Sequence, residues 1–146
     1  MTRKILAAAG AVPALLALCI GVAPAASAGP VPTAQPRAAA AVPTTSPTVE
    51  YVYVPGGAAT PCPSQYACVS VPYGAGYYVF KFIAYRTYTV SNWVGTGAFL
   101  NRQTGGAAAR YDNAGGNQLG CVPADGQHHW INLTPVYRVR LTSTPC

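Results

Sequence analysis

Hydrophobic positions follow two different patterns along the 146-residue chain. From Ile5 to Val22 they form one nearly continuous apolar run, which follows a cationic start at Arg3 and Lys4 and precedes the small residues 26–28. These are the three parts of a secretory signal peptide in their usual order. We therefore predict that Met1 to Ala28 is a signal peptide and that the mature protein is secreted.

Two alternatives exist for the same N-terminal segment. A membrane anchor would need a longer span than this run, which Pro13 also interrupts. A lipid-modified Cys19 would need a small residue before it, and Leu18 is large. After cleavage we expect no stable insertion into a membrane.

Residues 29–60 form a segment rich in Pro, Ala and Thr. Such a composition favours extended conformations and buries no core, so we predict a flexible stalk. Within it, residues 49–54 combine β-branched and aromatic side chains and predict a short strand, which Pro55-Gly56-Gly57 separates from the rest.

Residues 61–146 show short apolar stretches separated by glycine-rich turns, with no sustained helical period. Residues 77–85 are the strongest predicted strand, with Phe80 and Phe82 on one face and Lys81 on the other. Residues 136–142 alternate more clearly between apolar and polar side chains. The stretches 107–112 and 118–122 flank a glycine-containing turn and predict a hairpin. The predicted fold class is all-β.

A faint internal repeat supports a two-part arrangement of these strands. Residues 68–76 and 108–116 each place a predicted strand before a glycine turn, at an offset of 40 residues. Two such units suit a two-sheet Greek-key sandwich, because neither half alone could cover its apolar face.

Cysteine usage agrees with export. Four cysteines remain after cleavage, Cys62, Cys68, Cys121 and Cys146, and an even number in a short secreted domain predicts two disulfides with three possible pairings. We favour the local pairs Cys62–Cys68 and Cys121–Cys146, since the first closes a short loop and the second ties down the C-terminus.

The charge distribution argues against a nucleic-acid partner. Without the signal peptide, seven Lys and Arg stand against three Asp and Glu. The basic residues are dispersed along the chain, whereas nucleic-acid binding usually clusters them.

Several short motifs resemble secreted bacterial β/γ-crystallin-like domains, including peptidase inhibitor family I36. They are the opening Cys62-Pro-Ser-Gln-Tyr-Ala-Cys68, then Asn92-Trp93 followed by residues 97–101, then residues 101–104 and 110–116. The resemblance spans essentially the whole predicted folded unit. It implies a two-motif Greek-key domain without catalytic residues, some of whose relatives inhibit secreted metalloproteinases. No inhibitory residue of the family can be matched to a position in this chain.

Candidate chemistry in the folded unit is sparse. Asp112 and Asp125 could form a glycosidase pair, but both lie at predicted turns, where short polar side chains are common. His128 and His129 are adjacent, so in a strand they point to opposite faces and do not share a metal ion. No window keeps the calcium loop of β/γ-crystallin domains. We therefore expect no enzyme activity, no cofactor and no metal.

Binding is the expected mode of action. Our leading hypothesis is an inhibitor of an extracellular peptidase that presents a rigid loop, with Pro63, Ser64, Gln65, Tyr66, Asn92 and Trp93 as candidate contact residues. The alternative is a module that binds a cell-wall polysaccharide or cell surface through exposed aromatic side chains, for which Tyr51, Tyr53, Tyr73, Tyr77 and Trp130 are candidates. Most of these aromatic side chains could instead fill the core.

Overall fold

The structure is a computed structural model that describes residues 40–146. The predicted signal peptide and the first part of the predicted stalk lie outside these residues. The described part consists of ten strands: β1 (Thr44–Ser46), β2 (Glu50–Pro55), β3 (Ala67–Tyr73), β4 (Gly76–Phe82), β5 (Thr87–Ser91), β6 (Thr96–Asn101), β7 (Ala108–Asp112), β8 (Gln118–Pro123), β9 (His128–Asn132) and β10 (Arg138–Thr142). No helix of residues 40–146 is long and apolar enough to cross a membrane.

The strands form two antiparallel five-stranded sheets. Sheet A has the order β1-β5-β10-β7-β8, and sheet B has the order β2-β4-β3-β6-β9. The all-β prediction is confirmed, and the sheets face each other as a β-sandwich.

The strand order contains the same motif twice. In the first motif β4, β3 and β6 are neighbours in sheet B while β5 crosses to sheet A; in the second, β8, β7 and β10 are neighbours in sheet A while β9 crosses to sheet B. This is a two-motif Greek-key sandwich in which each motif has three strands in one sheet and its fourth strand in the other. The repeat predicted from residues 68–76 and 108–116 corresponds to β3 and β7, the first strand of each motif.

Alternating side chains explain where the core lies. Tyr78, Phe80 and Phe82 of β4 point inward or toward the core edge, and Val139 and Leu141 of β10 are buried opposite them, as the sequence predicts. Leu133 packs tightly against β6 at Gly97. A methyl group at Gly97 would overlap the carbonyl oxygen of Ser70 and the Leu133 side chain. Glycine is therefore required where β6 passes beneath that leucine.

A second, smaller apolar cluster covers part of the outer face of sheet B. It consists of Val54, Cys62, Cys68, Val79 and Leu100, with Tyr66 and Tyr77 packed against it. The segment between β2 and β3 thus folds back over the sheet.

Both favoured disulfides are present. Cys62 pairs with Cys68 and Cys121 pairs with Cys146, each with a Cα–Cα distance of 5.8 Å. Disulfides form and persist in oxidising compartments, so the protein belongs outside the cytoplasm.

The folded unit begins earlier than the sequence suggests. Residues 44–46 pair with β5, and the strand expected at 49–54 is found at Glu50–Pro55, where all six residues pair with β4. Sequence composition places both segments in the stalk, whereas their backbone hydrogen bonds make them edge strands of the two sheets. An edge strand hydrogen-bonds to only one neighbouring strand. A segment rich in Pro and Thr can therefore still join a sheet at its edge.

Candidate functional site

An open groove lies on the outer face of sheet B, beside the second apolar cluster. Cross-strand pairing places Ser70, Ala98 and Trp130 in one row, since Ser70 is opposite Ala98 and Ala98 is opposite Trp130. The first two side chains are small and make a low floor. Trp130 stands at the end of the row with 72% of its surface exposed.

The opposite wall comes from Tyr77 and the segment 57–60. The Tyr77 hydroxyl donates a hydrogen bond to the carbonyl oxygen of Ala58, and the N–H of Gly56 donates to the carbonyl oxygen of Ala75 at 3.1 Å. These bonds hold the segment against β4, so the wall is fixed before any ligand arrives.

We call this feature the Trp130 groove. It has a volume of about 530 Å³ and is lined by Gly57, Ala58, Ala59, Thr60, Ser70, Pro72, Gly76, Tyr77, Thr96, Gly97, Ala98, His128 and Trp130. The lining contains no Asp, Glu, Lys or Arg. An aromatic wall, a floor of small side chains and a few hydroxyl groups are typical of sites for uncharged ligands.

Polar groups in the groove divide into occupied and available ones. The Ser70 hydroxyl donates to the Ala98 carbonyl at 3.1 Å and accepts from the Ala98 N–H at 3.3 Å, so the strands occupy it. Within residues 40–146 no hydrogen bond engages the side chains of Thr60, Thr96 or His128. These three groups are available to a ligand.

The disulfide loop 62–68 is a second exposed feature, and it carries four of the candidate contact residues. Pro63, Ser64 and Gln65 are exposed and Tyr66 is half-buried. The Tyr66 N–H donates to the Pro63 carbonyl at 3.4 Å, and Gln65 has a left-handed φ of 72°. The loop is therefore a tight turn and not an extended segment.

Arg102 fastens this turn to the sandwich. Its backbone exchanges hydrogen bonds with Gln65 and Tyr66, both at 2.8 Å, and its guanidinium donates to the Cys62 carbonyl at 2.8 Å. The turn is held by three hydrogen bonds in addition to the disulfide.

The other candidate pair, Asn92 and Trp93, is split between surface and core. Trp93 is only 3% exposed and its ring lies 5.3 Å from that of Phe80, so its side chain offers no surface to a partner. Asn92 is exposed and donates to the Val42 carbonyl at 3.0 Å. The loop presents Asn92 and Val94, because the indole is drawn into the aromatic core.

The candidate aromatic side chains fall into two separate groups. Tyr51, Tyr53 and Tyr73 surround Tyr78 at ring distances of 5.3–5.8 Å, on the core-facing side of sheet B near its β2 edge. Tyr77 and Trp130 border the groove on the outer face. The two groups of aromatic side chains therefore do not form one common platform.

Each side-chain carboxylate of the described residues has a basic side chain as its partner. Asp112 is 2% exposed and accepts two hydrogen bonds from Arg140, at 2.7 and 3.0 Å. This contact raises the pKa of the Arg140 guanidinium above its ordinary value. Glu50 pairs with Lys81.

Asp125 is engaged in a local turn. The Gln127 N–H at 2.9 Å lowers the pKa of the Asp125 carboxyl below its ordinary value, and His129 at 3.0 Å adds to this effect. The structure does not set Asp125 beside Asp112 as a pair. As expected for neighbours in a strand, His128 and His129 lie on opposite faces of β9. Among residues 40–146 no group of three potential ligands could hold a metal ion.

Sequence reasoning identified Trp130 and Tyr77 as candidate aromatic residues but not the groove between them. The alternation of residues 128–132 places His128, Trp130 and Asn132 on one face of β9, which could have indicated one wall of the groove. The floor of small side chains from β3 and β6 depends on strand pairing, which the sequence does not reveal.

Comparisons with known proteins give no relative for this chain: no protein-family model, curated protein or solved structure matches it.

Proposed function

We propose that the protein is a secreted, non-enzymatic binding module for an uncharged polysaccharide of a cell wall or extracellular matrix, which it binds in the Trp130 groove. The observation that carries the proposal is the position of Trp130, 72% exposed beside an uncharged groove with a preformed wall. Contiguous exposed apolar surface is typical of an interaction site, and Trp130 here adjoins the largely apolar lining of the groove.

Sugar rings suit this combination of groups. The apolar faces of a pyranose stack on an indole, while its equatorial hydroxyls need hydrogen-bond partners at the rim. Thr60, Thr96 and His128 supply such partners, and the small side chain of Ala98 leaves room for a ring above the sheet. Without Asp, Glu, Lys or Arg in the lining, the groove favours a neutral ligand over a charged one.

The two disulfides and the predicted signal peptide support an extracellular place of action. The two-motif Greek-key order supports, as part of this proposal, a place among the β/γ-crystallin-like domains that the sequence motifs resemble.

Retention on insoluble polysaccharides tests the proposal. Purified mature protein should co-sediment with at least one of the neutral polysaccharides chitin and cellulose. Trp130→Ala should weaken the interaction about tenfold or more, since it removes both the buried apolar area of the indole and a stacking contribution on the order of 0.5–1.5 kcal/mol. Tyr85→Ala is the matched control, because Tyr85 is an exposed aromatic residue outside the groove. No retention of the wild type, or full retention of Trp130→Ala, would remove the proposal.

Peptidase inhibition is the second candidate, and the fixed turn 63–66 is the observation that favours it. A loop that is already ordered loses little entropy when it binds. The tight turn at Gln65 is unlike an extended peptide substrate, so any inhibition would come from surface contact and not from mimicry of a substrate.

Inhibition assays separate the two candidates. Mature protein at stoichiometric concentration is tested against metallo-, serine and cysteine peptidases, with Gln65→Ala and Trp130→Ala as paired variants. An inhibitor that uses the turn loses potency only with Gln65→Ala. If no peptidase class is inhibited, this second candidate is wrong.

A further inference from the structure

Strand β2 has an unusual surface for the free edge of a sheet. It pairs with β4 on one side only, and its other side has no neighbouring strand. Its residues Tyr51, Val52 and Tyr53 are 54%, 37% and 43% exposed. Natural proteins usually protect such edges with charged residues, proline or bulges, because free backbone groups pair readily with another strand. Here Glu50 and Pro55 stand only at the two ends.

The other edges of the two sheets are better protected. Strand β1 has only three residues, and β8 is interrupted by an irregular register opposite Tyr111 and Asp112. Strand β9 carries His128, His129 and Asn132 among its five residues. Among the described strands, β2 is thus the longest regular free edge and the most apolar one.

We propose that β2 is a dimerisation strand that pairs antiparallel with β2 of a second copy of this chain. The partner is a second copy of the chain because the sequence of β2 is nearly symmetric about Val52 and can pair with itself in antiparallel orientation. With Val52 opposite the partner's Val52, Tyr51 lies opposite the partner's Tyr53, and Tyr53 lies opposite the partner's Tyr51. Aromatic and β-branched cross-strand pairs of this kind stabilise antiparallel sheets.

The same register avoids electrostatic conflict. Glu50 lies opposite the partner's Val54, so no like charges face each other across the new ladder. The Glu50 carboxylate keeps its own Lys81, which lies on β4 and away from the edge. A pairing centred on β2 therefore covers apolar surface without burying an unpaired charge.

The dimer has a direct consequence for ligand binding. The two-fold axis of an antiparallel strand pair is perpendicular to the sheet, so the two sheets B become one ten-stranded sheet with both Trp130 grooves on the same face. Nine strand intervals separate the two β9 strands, which is about 40 Å at the usual strand spacing. A long polymer could occupy both sites, and the second contact would then be intramolecular.

Sedimentation velocity across a wide concentration range tests the pairing. The wild type should approach twice the monomer mass as concentration rises, and Val52→Lys should shift the equilibrium toward monomer about tenfold or more, because two lysines would oppose each other at the axis. Val94→Lys is the control, since Val94 is also an exposed valine, at 62%, but lies in the β5–β6 loop.

Hydrogen exchange provides a second measurement that does not depend on any variant. In the wild type, the backbone amides of residues 50–54 should become more protected as concentration rises, while those of β8 and β9 should not. A wild type that stays monomeric at all concentrations would overturn the proposal. So would a dimer that Val52→Lys leaves intact and whose protection appears at another edge. Neither outcome bears on binding to the Trp130 groove, which co-sedimentation tests separately.

Discussion

Trp130 lies directly opposite Ala98 in the register of β9 and β6. The pair joins the most exposed large hydrophobic side chain of the described residues to one of the smallest on the neighbouring strand. The height difference between them forms the open end of the groove, so its depth depends on the size of residue 98.

Filling this floor should weaken ligand binding without removing the aromatic wall. We expect Ala98→Leu to weaken retention on the bound polysaccharide about tenfold, because the larger side chain occupies the space where a ring would lie on Trp130. Co-sedimentation measures the effect, and the thermal midpoint reports on folding. Ala84→Leu, at an exposed alanine outside the groove, should bind normally. Equal binding by Ala98→Leu would mean that the ligand does not enter the groove.

The Asp112–Arg140 pair should be important for stability. Asp112 is buried and depends on two hydrogen bonds from Arg140, so Arg140→Ala leaves a buried carboxylate without its partner. We expect the free energy of unfolding to fall by about 2–3 kcal/mol. Denaturant titration followed by tryptophan fluorescence measures it. Arg86→Ala, at an exposed arginine, should change it by less than about 0.5 kcal/mol; similar losses for both variants would contradict the assignment.

The two disulfides should contribute unequally. They close loops with sequence separations of 6 and 25 residues, for which the chain-entropy account gives about 2 and about 3.5 kcal/mol respectively. The double variant Cys121→Ser with Cys146→Ser should therefore unfold at lower denaturant concentration than Cys62→Ser with Cys68→Ser. The reverse order would show that the short loop stabilises the second apolar cluster by more than its closure entropy.

Stability should decline in alkali through Tyr88. Burial is the main effect that raises the pKa of the Tyr88 phenol above its ordinary value, and Arg86 and the hydrogen bond to the Ala84 carbonyl oppose it. A pKa raised by folding contributes stability that is present below the unfolded value, about 10, and is lost as the pH rises through the folded value. Unfolding free energies measured from pH 8 to pH 11 should fall above about pH 10. Tyr88→Phe should flatten this decline, whereas Tyr137→Phe, at an exposed tyrosine, should not. An equally steep decline in Tyr88→Phe would exclude Tyr88 as its source.

Local patterns in the sequence predicted the parts of the fold that depend on neighbouring residues. The alternation around Phe80 and Val139, the turn of residues 113–117 and both disulfide pairs follow from spacing and turn chemistry. The membership of β1 and β2 in the sheets does not, because it depends on pairing with β5 and β4, which are distant in sequence.

The two tryptophans show why the site was harder to predict than the fold. Trp93 and Trp130 have the same side chain and both lie in polar, glycine-containing surroundings along the chain. Trp93 is buried because its loop turns inward over Phe80, while Trp130 is exposed because β9 presents it on the outer face of an edge strand. Only the tertiary arrangement distinguishes the buried tryptophan from the exposed one.

The exchange of β5 and β9 between the two motifs makes the halves of the domain interdependent. Without the second half, sheet B would lose β9, and without the first half, sheet A would lose β5. Neither half should therefore persist as a separate folding unit. Both disulfides lie within one half, Cys62–Cys68 in the first and Cys121–Cys146 in the second. If a protease cut the exposed Gly105–Gly106 connection, the two fragments would have no covalent link, yet their interlocked strands would keep them together as one complex.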